Sequence, residues 1–173
     1  MQAHPAPNFI QILPATESDL AAISALAGVI WRECYVSVIS TEQIEYMLKW
    51  MYGVSTMQRE MSQGVRYEKI LLAGQLVGFA AWGQMQEPSI CKLHKLYLLA
   101  AHHGQGLGSQ AIRHVLAAAK AAGFSRLHLN VNKKNSHAIA AYQRNGFVAI
   151  REVCDDIGGG FVMDDFVMGR MLE

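Results

Sequence analysis

A strand pattern, a glycine-rich loop and a helix pattern follow one another between Ile90 and Gly123, and this arrangement restricts the fold most. The apolar segment "ICKLHKLYLLA" precedes three closely spaced glycines, and apolar residues at helical spacing follow in "SQAIRHVLAAAKAAG". Glycine lowers stability where a helix begins, so its repeated use there indicates that a ligand approaches the backbone closely. Backbone N–H groups and the helix dipole attract anions at that end, and we therefore predict a phosphate-binding loop.

Two well-known phosphate-binding loops do not fit this sequence. A nucleotide P-loop requires a Lys directly after its last glycine, and none of these glycines is followed by one. A Rossmann loop requires G-x-G-x-x-G and an acidic residue about twenty positions further on. Ser109 stands at the third glycine position, and no Asp or Glu lies between Pro88 and Arg151. A different family of anion-binding loop is required.

Charge is distributed unevenly along the chain. The segment from Pro88 to Arg151 holds nine Lys and Arg residues without any acid, although the net charge of the whole chain is only +1. This asymmetry favours an anionic partner for the middle of the chain, and a solvated basic face is the alternative. We do not expect a nucleic acid partner, because few aromatic residues are interleaved with the basic ones.

The remaining patterns predict the elements around the loop. Thr16 and Ser40 are placed to cap two helices, and Gly74-Gln75 is placed to turn a β-hairpin. A strand, a helix and two closing strands separated by "DIGGG" follow the glycine-rich loop and its helix. The order predicts one α/β (α+β) domain over residues 1–173, with a mixed, mostly antiparallel central sheet flanked by helices.

Several features bear on compartment and metal content. The three cysteines, Cys34, Cys91 and Cys154, are widely spaced and form no C-x-x-C pair, so we expect reduced thiols and no zinc site. No apolar run reaches the length of a membrane span, so we expect no membrane partner. The start "MQAHPAPNF" lacks the basic and apolar blocks of a signal peptide, which predicts a cytoplasmic protein.

The loop "HGQGLGSQAI" after "KLYLLAAH" resembles the acyl-CoA loop of the GNAT superfamily of N-acetyltransferases. In that family Arg or Gln is followed by two variable residues, Gly, a variable residue, and Gly or Ala. Gly106 and Gly108 occupy the two small positions, and His103 stands where Arg or Gln is usual. Further on, "LNVNKKNSHAIAAYQRNGF" resembles the family's second motif, with Asn135 and Tyr142 in the expected places. The order of elements resembles the GNAT fold along nearly the whole chain.

The resemblance implies acetyl-CoA as co-substrate and no metal. It implies that backbone amides of the loop bind the pyrophosphate of the coenzyme, namely those of Gly104, Gln105, Gly106, Leu107, Gly108 and Ser109. The end of the preceding strand would bind the pantetheine arm through Leu96, Tyr97 and Leu98. The other cofactor contacts expected are His103, Asn130, Asn135 and Tyr142. Asn135 is also placed to cap the helix that follows it, and Asn130 to orient a water.

Acetyl transfer by direct attack requires a deprotonated amine, a polarised thioester carbonyl and a proton for the departing thiolate. The resemblance implies that the backbone N–H of Leu98 polarises the carbonyl and that Tyr142 protonates the thiolate. Tyr142 lies seven residues after Asn135, about two turns along one helical face. Core packing together with Ala138 and Ile139 is the alternative role of Tyr142.

The general base is less clear from the sequence. Many members of the family use a Glu on the strand before the loop or on the strand after the helix, and neither strand contains an acid here. His94 is the candidate on the first strand, because an imidazole accepts protons near neutral pH. A His satisfied within the core is the alternative, and Glu33 or Glu87 could act through a water chain.

The acceptor is inferred from charge. Acids cluster in "WRECY", "TEQIEY" and "VMDDF", and the resemblance implies that the first helices and the last hairpin form the walls of the acceptor site. We therefore hypothesise a cationic amine such as a polyamine, and the first region is loosely similar to bacterial polyamine acetyltransferases. Acids that merely keep helices soluble, a peptide or protein acceptor, and a non-catalytic acyl-CoA sensor are the alternatives. The family resemblance also allows a homodimer through the C-terminal strands, and the "DIGGG" glycines allow a tight turn or a mobile flap.

Overall fold

The computed structural model describes residues 9–173, so the expectation about a signal peptide concerns residues that lie outside the described range. Within that range the chain forms a seven-stranded sheet and five α-helices. The elements in chain order are β1 (Gln11–Pro14), α1 (Leu20–Cys34), α2 (Thr41–Met51), α3 (Val54–Ser62), β2 (Arg66–Leu72), β3 (Gln75–Gln84), β4 (Ile90–Leu98), α4 (Leu107–Ala121), β5 (Arg126–Asn132), α5 (Ser136–Arg144), β6 (Val148–Gly158) and β7 (Phe161–Met171). Short 3₁₀ turns at Glu17–Asp19 and Ala100–His102 precede α1 and the glycine-rich loop.

The sheet has the strand order β1-β2-β3-β4-β5-β7-β6, and every neighbouring pair except β4 and β5 is antiparallel. The parallel pair arises because α4 carries the chain back across the sheet before β5 begins. The prediction of a mixed, mostly antiparallel sheet flanked by helices is confirmed.

Residues of β3 are buried on both faces of the sheet, which therefore carries helices on both sides. Phe79 and Ala81 face a core formed with α1, α2 and α3, whereas Ala80 and Trp82 face a core formed with α4. The alternation follows from the two-residue period of a strand. Helix α5 packs against the second core through Ile139.

Side chains cap the helices at three of the predicted positions. The Ser40 hydroxyl accepts a hydrogen bond from Gln43 N at 3.1 Å, and the Asn135 side chain accepts one from Ala138 N at 3.2 Å. Thr16 N donates to the Asp19 carboxylate at 2.8 Å, at the 3₁₀ turn that leads into α1. Each bond satisfies a backbone or side-chain group that would otherwise lack a partner at a helix start.

Helix α3 was absent from the sequence prediction. Its nine residues are mostly polar, and only Met57 is fully buried, so no apolar stripe indicates a helix. Helix α4 begins at Leu107, whereas the apolar spacing predicted a helix only from about Gln110. The hairpin after β2 turns at Ala73 and Gly74.

The "DIGGG" segment is a tight turn. Strand β6 ends at Gly158 and β7 begins at Phe161, so two glycines connect them. Gly159 has a φ of +63°, and a Cβ atom there would lie 2.9 Å from the Tyr46 ring of α2. The Tyr46 hydroxyl donates to Ile157 O at 2.6 Å, which fixes this turn against α2.

Candidate functional site

Strands β4 and β5 separate near the middle of the sheet. Their parallel pairing runs only from Ile90 opposite Arg126 to Leu93 opposite Leu129, although both strands continue beyond it. His94 forms a β-bulge at this point, because Lys95 pairs with Ala81 and Leu93 pairs with Trp82. A wedge-shaped gap therefore opens between the two strands.

The end of β4 presents the backbone N–H of Leu98 to this gap. Leu99 N donates to Val77 O of β3 at 2.9 Å. Because successive peptide groups of a strand point to opposite edges, the N–H of Leu98 points away from β3 and towards the gap. The expected orientation of the Leu98 N–H thus follows from the strand register.

On one side the gap opens into a groove of about 610 Å³, which we call the outer groove. It is lined by the glycine-rich loop, the start of α4, the end of β4, α5 and the end of α1. Of the predicted cofactor residues, the outer groove is lined by Leu96, Tyr97, Leu98, His103, Gly104, Gly106, Gly108, Ser109, Asn135 and Tyr142.

Two glycines of the loop have backbone conformations that other residues rarely adopt. Gly104 and Gly106 have φ values of +73° and +76°, and Gly106 is the N-cap of α4. The N–H groups of Leu107, Gly108 and Ser109 belong to the first turn of α4, where a helix leaves N–H groups unpaired. These amides and the helix dipole make the end of the groove attractive to an anion. The predicted phosphate loop therefore has suitable geometry.

His103 fastens the loop to β4. Its ring Nε2 lies 2.8 Å from Leu98 O, to which it donates, and its backbone N donates to Ala100 O at 3.0 Å. The ring also stacks on His137 of α5 with a centroid separation of 5.9 Å. The Gln105 side chain donates to Ala101 O at 3.0 Å, within the same loop. These contacts hold the loop in the shape that presents the α4 amides.

On the other side the gap opens into a smaller cavity of about 100 Å³, which we call the inner pocket. It lies between α1, α2, β4, β5, α5 and β7. Tyr35, Leu96, Tyr97, Asn135, Ala138 and Tyr142 line both the inner pocket and the outer groove. The two cavities therefore meet at the gap, where a ligand in one can touch a ligand in the other.

Tyr142 lies at this junction and also packs in the core. Its ring contacts Phe147 with centroids 5.7 Å apart, and burial raises the pKa of its hydroxyl to about 12. The phenol is therefore protonated at neutral pH and able to donate a hydrogen bond. Asn135 similarly caps α5 and lines both cavities.

His94 lines the inner pocket at the bulge. Desolvation, together with repulsion from Lys92 and Lys95, lowers the pKa of its imidazole from 6.5 to about 4. The ring is therefore neutral at neutral pH. Of the two acids considered in its place, Glu33 lines the outer groove and Glu87 accepts a hydrogen bond from Ser89 in the turn after β3.

Asn130 lies in the inner pocket, and its side chain faces Asp165 of β7. Asp165 belongs to the acidic segment "VMDDF", but the sequence did not distinguish it from Asp164; it follows the two-residue period that also turns Met163 into this pocket. Trp31 and Tyr35 of α1 also line the inner pocket, with rings stacked 4.3 Å apart. Their helical spacing indicates only a buried face, so no sequence signal distinguished them from core residues.

Most basic residues of the middle segment do not line the outer groove. Lys95 is buried and forms an ion pair with Glu60 of α3, and Lys133 pairs with Asp164 at 2.6 Å and Glu152 at 2.7 Å. Among the described Lys and Arg residues, Arg144 alone lines the outer groove.

Other kinds of site are not seen within residues 9–173. In this range no helix is both long and apolar enough to cross a membrane. No three His, Cys, Asp or Glu side chains of the same range are grouped so that they could hold a metal ion. Cys34, Cys91 and Cys154 are all free thiols.

Comparison with known proteins identifies the family. The model of the acetyltransferase (GNAT) family matches residues 28–147, so this chain belongs to that family. The resemblance stated from the loop and the α5 motif is thereby confirmed. The matched segment contains both strands of the gap, the glycine-rich loop and α5.

Individual relatives share limited sequence identity with this chain. An uncharacterised N-acetyltransferase of Mycobacterium tuberculosis is 38% identical over 74 residues, which are 43% of this chain and 47% of that protein. The match thus spans about half the length of this relative. A spermidine N(1)-acetyltransferase of Thermoplasma acidophilum is 24% identical over 90% of this chain and 96% of its own length.

Solved structures share the fold. The PaiA N-acetyltransferase of Thermoplasma acidophilum, in complex with coenzyme A, has a TM-score of 0.78 at 22% identity and covers 94% of this chain and 99% of its own. A GCN5-related N-acetyltransferase of Rhodopseudomonas palustris has a TM-score of 0.80 at 20% identity, with coverages of 98% and 100%. At these identities the likeness concerns the fold.

Proposed function

We propose that this protein transfers the acetyl group of acetyl-CoA to a primary amine by direct attack within a ternary complex. The observation that carries the proposal is the meeting of the outer groove and the inner pocket at the gap between β4 and β5. A coenzyme in the groove and an amine in the pocket would bring the thioester and the nucleophile together there. Membership of the acetyltransferase family supports this assignment.

The outer groove supports binding of the coenzyme. The first-turn amides of α4 would bind the pyrophosphate, and the pantetheine arm would lie along Leu96, Tyr97 and Leu98 as an added strand. The arm supplies an amide chain able to satisfy the backbone groups that β4 presents to the gap. Arg144 and the loop histidines His102 and His103 add positive or polar groups along the same groove.

The chemical step follows from the groups at the junction. The amine nitrogen attacks the thioester carbon, whose oxygen accepts a hydrogen bond from Leu98 N–H as negative charge develops there. The carbon–sulfur bond then breaks, and Tyr142 supplies a proton to the departing thiolate. The proton lost by the amine passes to neutral His94 or to a water held by Asn130, which lies in the same pocket.

A small cationic amine is the acceptor that fits best. The inner pocket is small and is lined by the aromatic rings of Trp31, Tyr35 and Tyr97, so it suits a slender chain better than a folded peptide. The Thermoplasma relative named for spermidine acetylation supports a polyamine-like acceptor.

We further propose that the protein acts in the cytoplasm and forms a homodimer through its C-terminal strands, where Val148 and Ile150 expose apolar side chains. Nucleic acids and membranes have no part in this proposal.

Initial rates with both substrates varied test the proposed reaction. Purified protein is given acetyl-CoA and a panel of polyamines, simple amines and basic peptides, and the acetylated product is identified by mass spectrometry. Direct attack in a ternary complex predicts intersecting double-reciprocal lines, whereas parallel lines would indicate an acetyl-enzyme. Tight binding of acetyl-CoA without turnover of any amine would favour a sensor instead.

A further inference from the structure

Asp165 places a carboxylate inside the inner pocket. The residue is only 2% exposed, although it lies on β7 one position after the exposed Asp164. Among the described residues that line the inner pocket, it is the only Asp or Glu. A carboxylate this deeply buried requires a partner, because the charged form loses its hydration.

The side chains of the protein satisfy the Asp165 carboxylate only in part. Within residues 9–173 no Lys, Arg or His forms an ion pair with Asp165. The Asn130 side chain faces the carboxyl, and Lys92 attracts it from a greater distance. Lys95, which also lines the pocket, is already engaged by Glu60 and by the Tyr67 hydroxyl at 2.6 Å. Burial consequently raises the pKa of the Asp165 carboxyl.

Aromatic rings also line the pocket. Trp31 is buried and stacks on Tyr35, and Tyr97 lies 5.7 Å from the Trp31 ring. Ring faces attract ammonium groups, and their flat surfaces suit a methylene chain. The pocket thus combines aromatic surfaces with one carboxylate that forms no ion pair among the described residues.

We propose that the Asp165 carboxylate binds the non-reacting ammonium group of a diamine or polyamine acceptor. The other amine of the same molecule, in its neutral form, then reaches the gap beside Leu98 and Tyr142. This inference rests on the proposed acetyl transfer and adds the residue that selects the acceptor. Asp165 therefore determines specificity for the acceptor, whereas the groups at the gap carry out the chemical step.

A matched pair of amines tests the assignment. Putrescine and butylamine have the same four-carbon chain and differ only in the second ammonium group, and aminobutanol replaces that group with a hydroxyl. We expect the wild-type protein to prefer putrescine over both. Asp165→Asn is expected to reduce the ratio of kcat/KM for putrescine to that for butylamine about 10- to 100-fold, mainly through KM. Asp164→Asn removes the neighbouring charge outside the pocket, where Asp164 pairs with Lys133, and is expected to keep the ratio.

Two results would overturn the inference while leaving acetyl transfer intact. One is equal use of putrescine, butylamine and aminobutanol by the wild-type protein, which needs no variant. The other is an equal decrease of kcat/KM for putrescine and butylamine in Asp165→Asn, caused by a lower kcat and accompanied by a changed pH profile. That pattern would mean that the carboxylate acts on the reacting amine.

Calorimetry makes the same comparison without turnover. With coenzyme A bound, putrescine is expected to bind the wild-type protein more tightly than butylamine does, and Asp165→Asn is expected to abolish the difference. No difference in the wild-type protein would contradict the role of Asp165. Absence of turnover despite selective putrescine binding would instead refute the proposed transfer and leave the ammonium site standing.

Discussion

The imidazole of His94 is neutral at neutral pH because its pKa lies near 4, well below the usual 6.5. A general base acts in its deprotonated form, so activity that depends on His94 is retained above that value and lost as the pH falls through it. We expect kcat/KM for the amine, corrected for amine ionisation, to decline near pH 4 in the wild-type protein. His94→Gln should lower kcat by about 100-fold and remove this decline, which forms the acid limb of the pH profile.

Initial rates at a series of pH values, with circular dichroism as a check on folding, measure the effect. If the acid limb persists unchanged in His94→Gln, another group accepts the proton. A limb near pH 6.5 in the wild-type protein would likewise contradict the low pKa of His94.

Arg144 gives a second prediction for a single residue. It lies in the last turn of α5, and it is the one Lys or Arg among the described residues that lines the outer groove. Since coenzyme A is polyanionic, Arg144→Gln should raise its Kd about 10-fold, as expected for loss of a hydrogen bond to a charged group. Arg113→Gln is the matched control, because Arg113 lies near Arg144 but outside that groove. Equal effects of the two variants in calorimetry would argue for general attraction instead of a specific contact.

At the scale of elements, a substitution at the start of α4 is expected to affect protein stability and coenzyme binding in opposite directions. Gly108 lies inside the helix, and a Cβ atom there would meet only Leu98 Cδ1, at an ordinary 3.8 Å. Gly108→Ala should therefore raise the free energy of unfolding by about 0.5–1 kcal/mol. The same methyl group would project from a groove-lining residue, so we expect weaker binding of acetyl-CoA.

Urea unfolding and calorimetry together measure the two opposite effects of Gly108→Ala. Undiminished coenzyme affinity would mean that nothing approaches this part of the backbone. A loss of stability would mean that the glycine serves the fold.

Elements with side-chain caps and regular apolar spacing were predictable from the sequence. Ser40 and Asn135 form their expected caps, and α2 and α5 follow them. Helix α3 was missed because a single fully buried residue, Met57, gives no periodic signal. The start of α4 was placed too late because the helix includes Gly108, a residue that normally disfavours helices.

At the scale of the whole molecule, the outer groove was predictable residue by residue, whereas for the inner pocket only the elements, the first helices and the last hairpin, were predicted. The loop and α5 each carry a recognisable motif, although α4 and β5 separate them along the chain. The inner pocket brings Trp31 of α1 together with Asp165 of β7, which are distant in sequence and carry no shared pattern. The excess of basic residues in the middle segment is partly neutralised in the folded protein, because Glu60 and Asp164 form ion pairs with Lys95 and Lys133.

The ion pair of Lys95 and Glu60 links α3 to β4 beside the gap. Lys95 is 3% exposed, so its removal leaves Glu60 and the Tyr67 hydroxyl without their buried partner. We expect Lys95→Ala to lower the free energy of unfolding by about 1–3 kcal/mol. The control is Arg32→Ala, whose pair with Glu45 is exposed to solvent and is therefore expected to contribute little to stability. Equal midpoints of urea unfolding for the two variants would contradict a structural role for the Lys95 pair.

Release of free coenzyme A thiol from acetyl-CoA, compared between the wild-type protein and Tyr142→Phe, tests the central claim most directly. The account predicts amine-dependent release by the wild-type protein and a decrease of about 100-fold in kcat for the variant. The Kd for acetyl-CoA should change little, because the ring remains in place. Release by Tyr142→Phe at the wild-type rate would contradict the assignment of the proton donor. Failure of the folded wild-type protein to bind acetyl-CoA would contradict the account of the gap as an acetyl-transfer site.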